Sequence, residues 1–166
     1  MHRLTAIVLL SCLGGLSLAQ SVVERAKADE LVFMQDEEPA MRRAFEQARA
    51  TLDEFLLKAK APPPGTTSYS LKVGIREGKA VEYFWVGNFT QTETGFSGTI
   101  NNEPRLVKGV RFGQQYSFPR EHIFDWTYID RNERRMVGNF TVCALLTKES
   151  PQEAEATKKR YGLRCE

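Results

Sequence analysis

A proline triplet closed by glycine, Pro62-Pro63-Pro64-Gly65, divides this chain into two kinds of pattern. Consecutive prolines cannot continue a helix, because each lacks the backbone N–H and its ring collides with the preceding turn. Before the stop, Met41, Phe45, Ala48, Leu52, Phe55, Leu56 and Ala59 recur at helical spacing, with Arg42, Arg43, Glu46, Arg49, Asp53 and Glu54 between them. The spacing predicts an amphipathic helix that begins at Pro39, behind Asp36, Glu37 and Glu38, and docks through Phe45, Leu52, Phe55 and Leu56. After the stop the period falls to two. Tyr69, Leu71, Val73 and Ile75 alternate with Ser70, Lys72, Gly74 and Arg76, and Glu77-Gly78-Lys79 turns the chain into a second arm over residues 80–90. That arm carries Val81, Tyr83, Phe84, Trp85, Val86 and Phe89, apolar on both sides, which predicts a central strand.

Residues 96–100 read as a short third strand before the dense turn signal Asn101-Asn102-Glu103-Pro104. Residues 106–118 read as a bent or bulged strand, since Gly109 and Gly113 interrupt Val107, Val110, Phe112, Tyr116 and Phe118. A strand is expected over residues 121–129 and a last strand over residues 136–146. A helix for residues 142–146 stays open, because a short apolar run does not separate the two. Ser150-Pro151-Gln152-Glu153 combines a capping box with proline at the first helical position, and predicts a helix to about Tyr161 that stops at Gly162. The expected fold is α+β: an antiparallel, strongly bent sheet with an N-terminal amphipathic helix and a short C-terminal helix, in a single domain over residues 36–166.

The first nineteen residues carry the pattern of an export signal. Arg3 supplies a basic start, residues 4–18 are uncharged and apolar, and Ser17-Leu18-Ala19 presents the small residues of a cleavage site. This stretch is shorter than the roughly 20 apolar residues of a permanent span, so no transmembrane segment is expected. The chain is therefore read as exported, to the periplasm or beyond, with a mature start at Gln20 and a polar leader over residues 20–35. Leu9-Leu10-Ser11-Cys12 also has the look of a lipoprotein box, which would anchor the protein through Cys12; the apolar run that continues past it favours cleavage after Ala19.

Loss of Arg3 leaves 22 Lys and Arg against 21 Asp and Glu, far from the basic excess that nucleic acid demands. Nucleic acid is excluded as an expected partner, leaving an unknown protein or small ligand. Cleavage also leaves only Cys143 and Cys165, and two cysteines in an oxidising compartment predict one disulfide. His122 becomes the only histidine, which excludes metal sites that need two, so neither a metal nor a cofactor is expected.

The window most like chemistry is Glu121-His122-Ile123-Phe124-Asp125-Trp126. His122 with Asp125 or Glu121 would make an acid/base pair. Residues three apart on a strand point to opposite faces, however, so only a turn would bring His122 and Asp125 together. Val86-Gly87-Asn88-Phe89-Thr90 recurs as Val137-Gly138-Asn139-Phe140-Thr141. Glycine permits a bend there and asparagine tolerates unusual backbone angles, so two similar strand corners are the simpler reading, beside a polar site built from both segments.

These segments carry a resemblance. Phe84-Trp85-Val86, Gly95-Phe96-Ser97-Gly98, Ile100-Asn101-Asn102-Glu103-Pro104, Val107-Lys108 with Gly113, and Asp125-Trp126 followed by residues 136–141 resemble the YegJ-like family of exported bacterial proteins, a domain of unknown function (DUF 2314). The resemblance covers residues 36–146 and implies no catalytic residues. The chain is expected to be a non-enzymatic binding or accessory protein of the cell envelope, using Asn101, Asn102 and Glu103 beside aromatic residues such as Trp126. The alternatives are a small hydrolase-like enzyme built on His122 with Asp125 or Glu121, and an immunity-type protein that neutralises a toxin.

Overall fold

A computed structural model describes residues 38–165. The expected export signal, Cys12 and the expected polar leader lie outside the described residues. Helix α1 (Pro39–Lys60) starts with proline at its first position and ends ahead of the proline triplet, with Lys58 and Lys60 in its last turn. Both ends follow from local chemistry, since proline suits a first turn and cations complement the negative end of the helix. Met41, Ala44, Phe45, Ala48, Leu52 and Phe55 are buried along one face, at the expected spacing.

The hairpin is present as β1 (Thr66–Glu77) and β2 (Ala80–Gln91), turning at Gly78 with φ +59°. They are followed by β3 (Phe96–Ile100), β4 (Gln115–Phe118), β5 (Ile123–Asp130) and β6 (Arg135–Gly138), then helices α2 (Phe140–Leu146) and α3 (Pro151–Tyr161). The six strands form one antiparallel sheet in the order β4-β3-β2-β1-β5-β6, so the hairpin is its centre. Register shifts interrupt β1 against β5 and β2 against β3, and such bulges bend a strand. No helix among the described residues is long and apolar enough to cross a membrane.

Helix α1 packs on β5 and on α2. Phe55, 1% exposed, stacks on Trp126 at 4.9 Å between ring centroids and on Phe89 at 5.9 Å. Leu71, Val73, Phe84, Val86 and Ile100 complete this main core. A second cluster joins the start of α1, through Met41, Ala44 and Phe45, to Ala144, Leu145 and Leu146 of α2 and to Leu163. Cys143 and Cys165 are disulfide-bonded with their Cα atoms 5.3 Å apart, tying α2 to the segment after α3. Ser150 and Glu153 form the expected capping box, and Gly162 ends α3 at φ +61°.

Three expectations are corrected. Residues 106–118 are not one bent strand. Only Gln115–Phe118 joins the sheet, because the carboxylates of Glu82, buried, and Glu77, exposed, claim the backbone amides of the preceding loop. Arg120–His122 is a 3₁₀ turn rather than strand, and β5 starts at Ile123. The last strand ends at Gly138, where φ +79° at Gly138 and φ +60° at Asn139 break the ladder and start a helix at Phe140. The helical alternative for residues 142–146 is therefore correct.

Candidate functional site

The loop over residues 101–114 is shaped from below by β2. Where β3 leaves its neighbour, the loop takes over the edge of β2: Asn101 N–H donates to the Trp85 carbonyl at 2.8 Å, and Trp85 N–H donates to Asn102 Oδ1 at 2.8 Å. Asn102 Nδ2 also reaches the Tyr83 carbonyl at 3.5 Å. One asparagine side chain thus replaces a strand partner.

Glu82 does more. Its side chain, 5% exposed, accepts from the backbone N–H groups of Arg105 at 2.8 Å, Leu106 at 2.9 Å and Val107 at 3.0 Å. Three amides converging on one carboxylate satisfy a buried charge, and such charge-assisted bonds exceed neutral ones in strength. Glu77, exposed, also accepts from the backbone N–H groups of Lys108 and Gly109. Val107 and Val110 drop into the core, while Gly113 N–H and Gln114 C=O bind Ile100 at 2.8 and 3.0 Å. The loop is a fixed platform. On it Leu106 is 42% and Phe112 is 55% exposed, with Arg105, Lys108 and Arg111 interleaved.

Of the residues expected to bind, Asn101 and Glu103 are exposed on this loop, whereas Asn102 is half-buried and engaged with β2. Trp126 lies elsewhere. It is 6% exposed, its indole N–H donates to the Ala48 carbonyl at 3.1 Å and to Thr51 Oγ1 at 3.2 Å, and it packs in the main core. The four residues do not form one cluster.

His122 and Asp125 are not brought together either. His122 and Glu121 are exposed on the 3₁₀ turn. Asp125 is fully buried: Oδ1 accepts from Trp126 N–H at 2.8 Å and Phe140 N–H at 3.3 Å, and Oδ2 accepts from the N–H and hydroxyl of Thr141 at 2.8 and 2.7 Å. Asn139, at the N-terminal boundary of α2, makes no side-chain capping bond, so Asp125 supplies from β5 the acceptor that helix needs. Lys72 completes the group. It pairs in register with Asp125 on one side and Trp85 on the other, donates from Nζ to Thr141 Oγ1 at 2.8 Å, and sits 5.1 Å from the Trp85 ring centroid. Burial pushes the Lys72 ammonium down, against the pull of Asp125. It pushes Asp125 up, against Lys72, Thr141 and the Trp126 amide. Thr141 is buried as well, so this constellation positions α2 rather than offering a nucleophile.

Sequence reasoning missed Lys72, Glu82 and Glu77. Lys72 and Glu82 each leave a signal, a charge set among apolar neighbours on a strand, but that pattern alone does not say whether the charge is solvated or used internally; Glu77, between Arg76 and Gly78, leaves none. Among the described residues, no three His, Cys, Asp or Glu side chains are grouped to hold a metal ion.

The two Val-Gly-Asn-Phe-Thr copies are backbone corners. Asn88 has φ +48° at the β2 bulge and Asn139 has φ +60° at the β6 to α2 turn. At Gly138 an added Cβ would come within 2.2 Å of the Trp126 carbonyl oxygen.

Residues 38–165 match the bacterial family described as "Uncharacterized protein conserved in bacteria (DUF2314)". The chain belongs to the DUF2314 family. It is 28% identical over 133 residues to the Escherichia coli (strain K12) protein called "Uncharacterized protein YegJ", covering 80% of this chain and 84% of that one. No solved structure matches the chain. The DUF2314 match spans every described helix and strand, so the loop platform, the Asp125 anchor and the disulfide all fall within the family region.

Proposed function

We propose that this protein is a non-enzymatic binding or accessory protein of the bacterial envelope, and that the loop over residues 101–114 is the surface it presents to a protein partner. One observation carries the reading: Leu106 and Phe112 stand exposed on a loop whose backbone is held by Glu82, Glu77 and Asn102. Exposed apolar side chains in a fixed frame lose little conformational entropy on binding, which is the main benefit of preorganisation. Interleaved cations suit an acidic partner surface and its electrostatic steering. The export pattern of residues 1–19 and the joined cysteines support an envelope location.

The test is site-directed photocrosslinking in living bacteria, with a crosslinking amino acid at Leu106, at Phe112 or at the exposed control Lys159, followed by cell fractionation. A discrete adduct from positions 106 and 112 in the envelope fraction, absent from position 159, is the expected result. Adducts of equal pattern at all three positions, or a cytoplasmic protein, overturn it.

A further inference from the structure

An open cleft lies in another part of the fold, where α1, α2 and α3 meet around the disulfide, with a volume of about 290 Å³. Its lining divides by chemistry. Ala44, Ala144, Ala154 and Phe140 supply apolar surface, and Cys143 and Cys165 line it together as one covalent bridge. The polar lining comes from Arg43 and Gln47, one helical turn apart on α1, from Thr147 after α2 and from Lys158 on α3. Lys158 is partly offset by Glu155 at 2.7 Å. Arg43 is exposed and enters none of the salt bridges among the described residues.

We propose that this cleft binds a small organic carboxylate with a short apolar body. A guanidinium presents a planar pair of donors that matches a carboxylate, and the Gln47 amide can add a further donor beside it. The small side chains of the floor leave room for an alkyl or aromatic body rather than for a polar one, and the volume sits at the lower end of ligand cavities. An excess of cationic over anionic lining selects the charged head, and the apolar floor selects the tail. The ligand class is thus an amphiphile of roughly ten heavy atoms, held without the loop over residues 101–114.

The probe is octanoate, followed by amide NMR on the isotope-labelled protein, with octanol and inorganic phosphate as comparison ligands. Saturable shifts at Gln47, Ala144 and Thr147, weakened about tenfold in Arg43→Gln and unaltered in Arg164→Gln, are expected. Lys158→Gln, with an unchanged melting temperature, is expected to weaken binding in the same direction and guards against a folding defect in one variant. Octanol binding as tightly as octanoate would remove the role of Arg43, phosphate binding as tightly would remove the role of the floor, and shifts indifferent to Arg43→Gln would overturn the site.

Discussion

Asp125 on β5 and Thr141 on α2 are joined twice, by the Thr141 amide at 2.8 Å and its hydroxyl at 2.7 Å, both donating to Oδ2 of one buried carboxylate. The pair fixes where the second helix begins, and Lys72 binds the same hydroxyl from the sheet. Asp125→Ala leaves these donors without their acceptor and removes the negative charge that faces Lys72. Breaking a buried charged network of this sort costs about 3 to 5 kcal/mol. Urea denaturation is expected to show that loss, and Asp125→Asn, which keeps one acceptor oxygen, a smaller one. A change under about 1 kcal/mol for Asp125→Ala would show that the network contributes little net stability.

Glu82→Gln tests the platform. The amide retains one acceptor atom and turns a donor toward the loop N–H groups, so about 1.5 to 3 kcal/mol of charge-assisted bonding is at stake. Hydrogen exchange is the sharper measurement. The amides of Arg105, Leu106 and Val107 are expected to exchange faster in the variant, with those of β1 unaffected, because the loop detaches before the sheet does.

Phe55→Ala removes the ring on which Trp126 and Phe89 stack, at a site only 1% exposed. The expected cost is about 3 to 5 kcal/mol, read as a fall in the denaturation midpoint. An unchanged midpoint would mean that α1 does not belong to the cooperative core.

The disulfide predicts a labelling result and a stability result. The denatured, unreduced protein, with residues 1–19 removed, is expected to take up no thiol reagent. Cys165→Ser is expected to cost about 3 kcal/mol, from the freedom regained by the closed loop in the unfolded chain. Two labels per molecule would contradict the bridge.

Gly138 and Asn88 occupy neighbouring places in the two copies of the repeated segment, both at positive φ, yet their substitutions are expected to differ. Gly138→Ala meets the Trp126 carbonyl and a φ of +79°, and is expected to destabilise by more than about 2 kcal/mol. Asn88→Gly relieves a positive φ at an exposed position and is expected to be neutral or mildly stabilising. Thermal melts of both separate the corners.

Helix α1, the central hairpin, β3 and α3 were legible because each is marked by its own residues: a period, a proline, a glycine turn or a capping box. The β3 to β4 loop and α2 were not, for a shared reason. Their conformations depend on Glu82 and Asp125, side chains that are distant in sequence and act on backbone N–H groups. Local apolar runs such as residues 106–112 and 136–146 therefore read as strands. The window around His122 was misleading in the same way, since Asp125 is held by Thr141 and the Trp126 and Phe140 amides and not by His122. The cysteine pair was legible from the even count that the expected cleavage after Ala19 leaves.

Glu82 and Glu77 grip main-chain amides of residues 105–109, an interaction that does not depend on the loop's own spelling. Nearly any residue supplies the required N–H; proline alone cannot. Relatives that keep the two glutamates are free to rewrite positions such as 106 and 108 without rebuilding the sheet below. The same scaffold can in this way display many different side-chain surfaces while its hydrogen-bond frame stays the same.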